Sequence, residues 1–149
     1  IERPDQYVTE FIAAGSSNIT IHVEPEYDVE ATITKIKESG ISAGLALNPA
    51  TPLKLAEPFL KKIDILLIMT VVPGFGGQNF MEEETMPKVA QAKKIRADKN
   101  LNFHIEVDGG ITPETASIAA KHGANILVSG TGTFKADEMA VSIKKLRES

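Results

Sequence analysis

Apolar positions along the chain switch between helical and strand spacing in regular succession. Asp5 to Ala14 places Tyr7, Val8, Phe11 and Ile12 at helical spacing, and Gly15 suits a C-terminal stop. Ile19–Val23 alternates as a strand and ends in Glu24-Pro25. Asp28–Glu38 predicts a helix with Val29, Ile33 and Ile36 on one face, stopped by Gly40. Ile41–Leu47 is a second strand, closed by Asn48-Pro49-Ala50-Thr51-Pro52, and Leu53–Lys62 reads as a helix interrupted at Pro58. Ile63–Val72 is the most apolar run; its continuity predicts a strand covered on both faces of a parallel sheet. A helix is expected over Thr85–Lys99, with Pro87 in its first turn and Met86, Val89, Ala92 and Ile95 as its apolar stripe. A strand at Phe103–Val107, a helix at Pro113–His122, a strand at Asn125–Ser129 and an amphipathic helix around Asp137–Leu146 complete the order.

One helix followed by five strand–helix units implies a parallel sheet covered by helices. Each unit takes about 25–30 residues, no linker divides the chain, and residues 1–149 read as a single domain. Two architectures fit. A five-stranded doubly wound sheet would be a whole domain at this length. The alternative is the later part of a (β/α)8 barrel, which needs about 250 residues and at least about 200.

Composition narrows the function without choosing between these folds. Apolar residues are 42% and charged residues 24% of the chain, a balance that supports a packed core. The net charge of −4 argues against a nucleic-acid partner, which would need a basic face. No apolar run approaches the roughly 18 residues of a spanning helix, so no membrane partner is expected. With no cysteine and no signal peptide in view, a cytoplasmic location is expected. The chain begins at Ile1 with Glu2-Arg3-Pro4, which reads as a loop entered in mid-course; an N-terminal truncation is expected.

The chemistry concentrates after the strands. Phe103–Gly110 runs from a buried-strand pattern into Asp108 and then Gly109-Gly110, before Thr112-Pro113-Glu114 opens a helix. A carboxylate there stands at the carboxyl end of a strand, where α/β folds place ligands, although Asp also stabilises turns of this kind. Gly74-Phe75-Gly76-Gly77 and Gly130-Thr131-Gly132 likewise follow strands. Glycine lets backbone approach a ligand, and the following helix points its N-terminus the same way. Three such clusters on successive strands favour a phosphate cradle over three unrelated turns. Neither a P-loop nor a complete dinucleotide fingerprint is present.

Three histidines and a methionine need weighing. His22 shares a strand face with Thr20 and Glu24 and reads as a partly buried, hydrogen-bonded histidine. His104 shares a face with Asp108 but lies four residues deeper, and His122 beside Gly123 reads as a helix cap. Met69, near the end of its strand, suits core or site lining.

Ile68–Gln78 with its Pro-Gly-Phe-Gly-Gly-Gln string, Ile105–Ile111, Val128-Ser129-Gly130, Leu47–Pro52 and His22-Val23-Glu24 together resemble the ribulose-phosphate 3-epimerase family. The likeness runs over essentially the whole chain. It implies a TIM-type (β/α)8 barrel of which this sequence holds the last five strand–helix units. It implies metal-dependent inversion of the carbon next to the ketone of D-ribulose 5-phosphate, giving D-xylulose 5-phosphate through an enediolate between two aspartates. This is a step of the pentose phosphate pathway. Asp108 is then one catalytic aspartate and a ligand of one divalent metal ion, of the zinc, iron, manganese or cobalt kind. Met69 lines the intermediate's site, while Gly74, Phe75, Gly76, Gly77, Gly109, Gly110, Gly130 and Thr131 hold the phosphate or its surroundings.

The resemblance also places a second aspartate, two metal-binding histidines and an early serine on three strands absent from this sequence. The chain is therefore expected to be incomplete and inactive alone, its whole form a homo-oligomer acting on a small phosphorylated ketose. Gly132 stands where the family carries a small apolar residue, which points to a looser cradle. Two alternatives accompany this reading. One is an epimerase of another ketose phosphate or a phosphosugar decarboxylase on the same barrel; the other is a non-enzymatic, doubly wound phosphate-binding module.

Overall fold

The five expected strands form in the expected places in a computed structural model that describes residues 1–149. They are β1 (Asn18–His22), β2 (Ser42–Leu47), β3 (Ile65–Met69), β4 (His104–Asp108) and β5 (Ile126–Val128). All four neighbouring pairs are parallel, and the spatial order is β1-β2-β3-β4-β5. The helices are α1 (Val8–Ala13), α2 (Val29–Glu38), α3 (Glu82–Asp98), α4 (Pro113–His122), α5 (Thr131–Phe134) and α6 (Met139–Arg147).

Sheet order settles one of the two architectures. Parallel crossovers are right-handed almost without exception, and here every crossover steps one strand in the same direction. Repeated right-handed steps in one direction put the covering helices on one side of the sheet. A doubly wound sheet must instead reverse direction at a switch point. The doubly wound alternative is therefore ruled out.

Burial follows the same logic. Ile21, Leu45, Leu47, Leu66, Ile68, Ile105 and Val107 share one sheet face and pack with Ile33, Ile36, Met86, Val89, Ala92, Ala116 and Ala119 of the helices. The opposite face carries the register row His22, Ala46, Leu67, Glu106 and Ile126. Above it lies the row Met69, Asp108 and Val128. That face is only partly covered, so the expectation that the whole β3 run is buried on both sides holds for Leu66, Ile68 and Met69 but not for Ile65 or Leu67. Asp64, the one charge in the run, accepts from the Ala43 N–H at 2.8 Å and pairs with Lys37 at 2.7 Å.

Several boundaries move for local reasons. Leu53–Lys62 is not an α-helix but two 3₁₀ turns, Leu53–Leu55 and Glu57–Phe59, because Pro58 has no N–H to continue a ladder. The first helix is split by a 3₁₀ turn at Pro4–Gln6. Helix α3 starts at Glu82, where Glu82, Glu83 and Glu84 favour an N-terminus, so Pro87 falls inside the helix rather than in its first turn. The short α5 carries no periodic signal in the sequence.

Candidate active site

Asp108 is the last residue of β4, with Met69 beside it on β3 and Val128 beside it on β5. The backbone around it is fixed by buried Thr70, whose N–H donates to Asp108 O at 2.8 Å and whose Oγ1 donates to Gly109 O at 2.6 Å. Thr70 O in turn accepts the Met81 N–H at 2.9 Å, which ties in the approach to α3. Nothing in the apolar run around Thr70 marks this role beyond one hydroxyl among aliphatic residues.

The glycine loops are shaped by different forces. After β3, Gln78 folds back and its Nε2 donates to Val72 O at 2.7 Å and Phe75 O at 2.9 Å, closing the loop on itself. After β4, Gly109 and Gly110 adopt φ of 120° and 66°, and a Cβ at Gly110 would lie 2.6 Å from the Phe80 backbone nitrogen. The Thr115 hydroxyl donates to Gly110 O at 2.9 Å, and Thr112 and Thr115 form a reciprocal cap on α4. After β5, the Ser129 hydroxyl donates to Ile111 O at 2.8 Å. A Cβ at Gly132 would lie 2.2 Å from that same carbonyl oxygen. Gly132 therefore sits in a tight contact, and the looser cradle expected there is not what the backbone shows.

All three loops and the end of β4 line one cleft of about 400 Å³. Its walls include Asp108, Met69, Gly74, Phe75, Gly76, Gly77, Gly109, Gly110, Gly130 and Thr131, the residues to which the resemblance gives a role, while Gly132 and the three histidines lie outside it. Val71, Pro73, Gln78, Ile111 and Val128 join them. No cationic side chain lines the cleft. With no cation present, backbone N–H groups of the glycine loops are the donors left to meet an anion there. Burial raises the Asp108 carboxyl above the ordinary carboxylate range. Glu106, one row deeper on the same face, is raised too, by burial first and then by the charge of Asp108.

None of the three histidines lines the cleft. His22 Nδ1 lies 2.9 Å from Glu24 Oε2, as a hydrogen-bonded, partly buried histidine should. His104 is exposed at the start of β4 beside Asn125, away from the cleft, and His122 Nδ1 bonds Ile118 O at 2.8 Å at the end of α4. No three His, Cys, Asp or Glu side chains are placed to hold a metal ion. Asp108 offers a single carboxylate, short of the ligand number that hard or borderline cations take. The residues of this chain do not by themselves fit the expected divalent metal. No helix is long and apolar enough to cross a membrane.

The profile of the "Ribulose-phosphate 3 epimerase family" matches residues 1–134. The chloroplastic ribulose-5-phosphate-3-epimerase of Arabidopsis thaliana is 42% identical over 151 residues, covering 100% of this chain and 53% of that protein. The ribulose-phosphate 3-epimerase of Bacillus subtilis is 39% identical over 150 residues, covering 100% of this chain and 69% of its own length. The chain thus spans about half to two thirds of the relatives it matches. Among solved structures, 3-hexulose-6-phosphate synthase from Salmonella typhimurium superposes with a TM-score of 0.72 at 17% identity, over 96% of this chain and 65% of that one. A tryptophan synthase α-subunit from Pyrococcus furiosus superposes with a TM-score of 0.67 at 18% identity, over 96% of this chain and 58% of that one. At such identities these two share the fold alone.

Proposed function

The chain belongs to the ribulose-phosphate 3-epimerase family, and we propose that it carries the later five strand–helix units of an epimerase barrel acting on D-ribulose 5-phosphate. The observation that carries this reading is the single cleft in which Asp108 meets three glycine loops. The barrel is supported by the one-directional strand order and by the fraction of the superposed structures that five units cover. Residues 1–149 form one continuous body of such a barrel.

Each group has a task that follows from its chemistry. Amides of Gly76, Gly77, Gly109, Gly110, Gly130 and Thr131 hold the phosphate in a cleft with no cationic side chain. Asp108, its proton affinity raised by burial, moves a proton at the carbon next to the ketone. Met69, in register with it, presents an apolar wall that keeps water from the reacting carbon. The opposite-face proton needs a second group, which these residues do not place in the cleft. In the same proposal, Asp108 would supply one oxygen to a divalent ion whose other ligands lie outside residues 1–149, and that ion would stabilise the oxyanion of the enediolate. A homo-oligomer and a cytoplasmic setting complete the reading.

The test joins residues 1–149 to the first three strand–helix units of the Bacillus subtilis relative and follows conversion of D-ribulose 5-phosphate to D-xylulose 5-phosphate. Asp108→Asn should lower turnover about 10²–10⁴-fold, the usual contribution of a positioned acid or base. Near-normal turnover in that variant overturns the assignment. Residues 1–149 alone should show no turnover with added divalent metal, and substantial turnover from them would refute the five-unit reading.

A further inference from the structure

His22 closes β1 on the sheet face that carries Asp108. Its Nδ1 meets Glu24 Oε2 at 2.9 Å, while Glu24 Oε1 accepts the Asn48 N–H at 2.6 Å. Burial pushes the Glu24 carboxyl up, but the Asn48 amide, the Thr51 hydroxyl and His22 outweigh it and hold it below the ordinary range. A carboxylate only accepts, so Nδ1 is the donor, and the tautomer this selects carries its lone pair at Nε2. The ring makes its one hydrogen bond at Nδ1, which leaves Nε2 without a partner in the chain.

The support behind this ring is deep. Lys88 is only 8% exposed, and its Nζ donates to Asn48 O at 3.0 Å and Pro49 O at 2.8 Å. It projects from α3, the helix that follows the glycine loop after β3. The turn whose N–H fixes Glu24 is thereby fixed from its far side. A cavity of about 500 Å³ is lined by His22, Glu24, Asn48, Val72 and Pro73 among others. Pro73 also lines the Asp108 cleft, so the two spaces adjoin. Asn48, a lining residue, has its Oδ1 buried without a donor.

The chemistry of the two adjoining spaces is opposite. One offers N–H groups to an anion. The other offers an acceptor, His22 Nε2, which calls for a ligand that donates a hydrogen bond. We propose that His22, oriented by Glu24, contacts the substrate, its Nε2 accepting a hydroxyl hydrogen of the sugar while the phosphate lies on the glycine loops. This rests on the function proposed above and adds a sugar-reading residue to it.

The test uses the joined chain described above, with ¹⁵N-labelled backbone and histidine rings, titrated separately with D-ribulose 5-phosphate and with inorganic phosphate. The Gly76, Gly77 and Gly109 amides should respond to both ligands, and His22 Nε2 to the sugar phosphate alone. His22→Gln and Glu24→Gln should each weaken D-ribulose 5-phosphate about threefold to tenfold, the value of one hydrogen bond, and leave inorganic phosphate unchanged. Glycine amides that respond while His22 Nε2 stays silent, or a His22 response to inorganic phosphate as well, overturn the inference and leave the phosphate cradle standing. Glycine amides that respond to neither ligand overturn the cradle itself.

Discussion

The two halves of the rim are made of different material. After β3, β4 and β5 the chain presents backbone: glycines, carbonyls tied off by Thr70, Gln78 and Thr115, and open amides. After β1 and β2 it presents side chains: His22 on Glu24, Glu24 on the Asn48 amide, and Lys88 beneath. Backbone amides suit a rounded anion, because they converge without rotamer freedom and carry no net charge of their own. Side chains suit hydroxyl groups, whose direction must be read. An acidic chain can hold a phosphate when the anion's half of the rim is built from the first material.

Within the backbone half, glycines divide again, and substitution should expose the division. The largest effect is expected at Gly110, whose Cβ would strike the Phe80 backbone at φ 66°. Gly110→Ala should lose about 2–5 kcal/mol of stability, combining left-handed strain with overpacking, as read by denaturant titration. A variant as stable as the parent would show that the β4 loop can move away from Phe80.

In the side-chain half the largest effect is expected at Lys88. Lys88→Met leaves the Asn48 and Pro49 carbonyls without their donor and should cost about 2–3 kcal/mol. The same titration should show a smaller loss for Lys88→Arg, which keeps a cationic donor.

Glu24→Gln should cost about 1–2 kcal/mol near pH 7. Its carboxyl is held below the ordinary range when folded, so its contribution is present above the unfolded value of about 4.3 and fades as pH falls through the folded one. Melting curves of parent and variant should therefore converge in acid. A gap that persists there would mean that Glu24 acts through packing rather than charge.

The smallest stability effect is expected at Gly130, where a Cβ meets nothing within 4 Å and φ is −91°. Gly130→Ala should stay within about 0.5 kcal/mol of the parent while binding inorganic phosphate several-fold more weakly. Unchanged phosphate affinity would mark Gly130 as a turn residue rather than part of the cradle.

The succession of strands along the chain and the glycine cleft are legible in the sequence because both rest on local signals, whereas the spatial order of the strands is not. Continuous or alternating apolar runs announce strands, and Asp108-Gly109-Gly110 or Gly74–Gly77 announces a place where side chains have been removed. What was not legible depends on contacts distant in sequence. Thr70 holds the Asp108 backbone across 38 residues, and Lys88 reaches Asn48 across 40. Neither hydroxyl nor ammonium advertises its partner. Leu53–Lys62 shows helical spacing because its apolar residues keep that spacing in two separate 3₁₀ turns. Pro87 lies beyond the first turn because the acidic run Glu82–Glu84, not the proline, sets where α3 begins.

The one-directional strand order has a consequence for how the chain is made. Each strand pairs with the one before it, across a single crossover, so no strand waits for a distant partner. Loop-closure entropy is met in four modest steps rather than one large one. During synthesis, β2 can dock on β1 while β4 is still unmade, and α2 can cover that pair at once. Asp108 and its cleft, assembled from β3, β4 and β5, would then be among the last features to form, on a platform already in place.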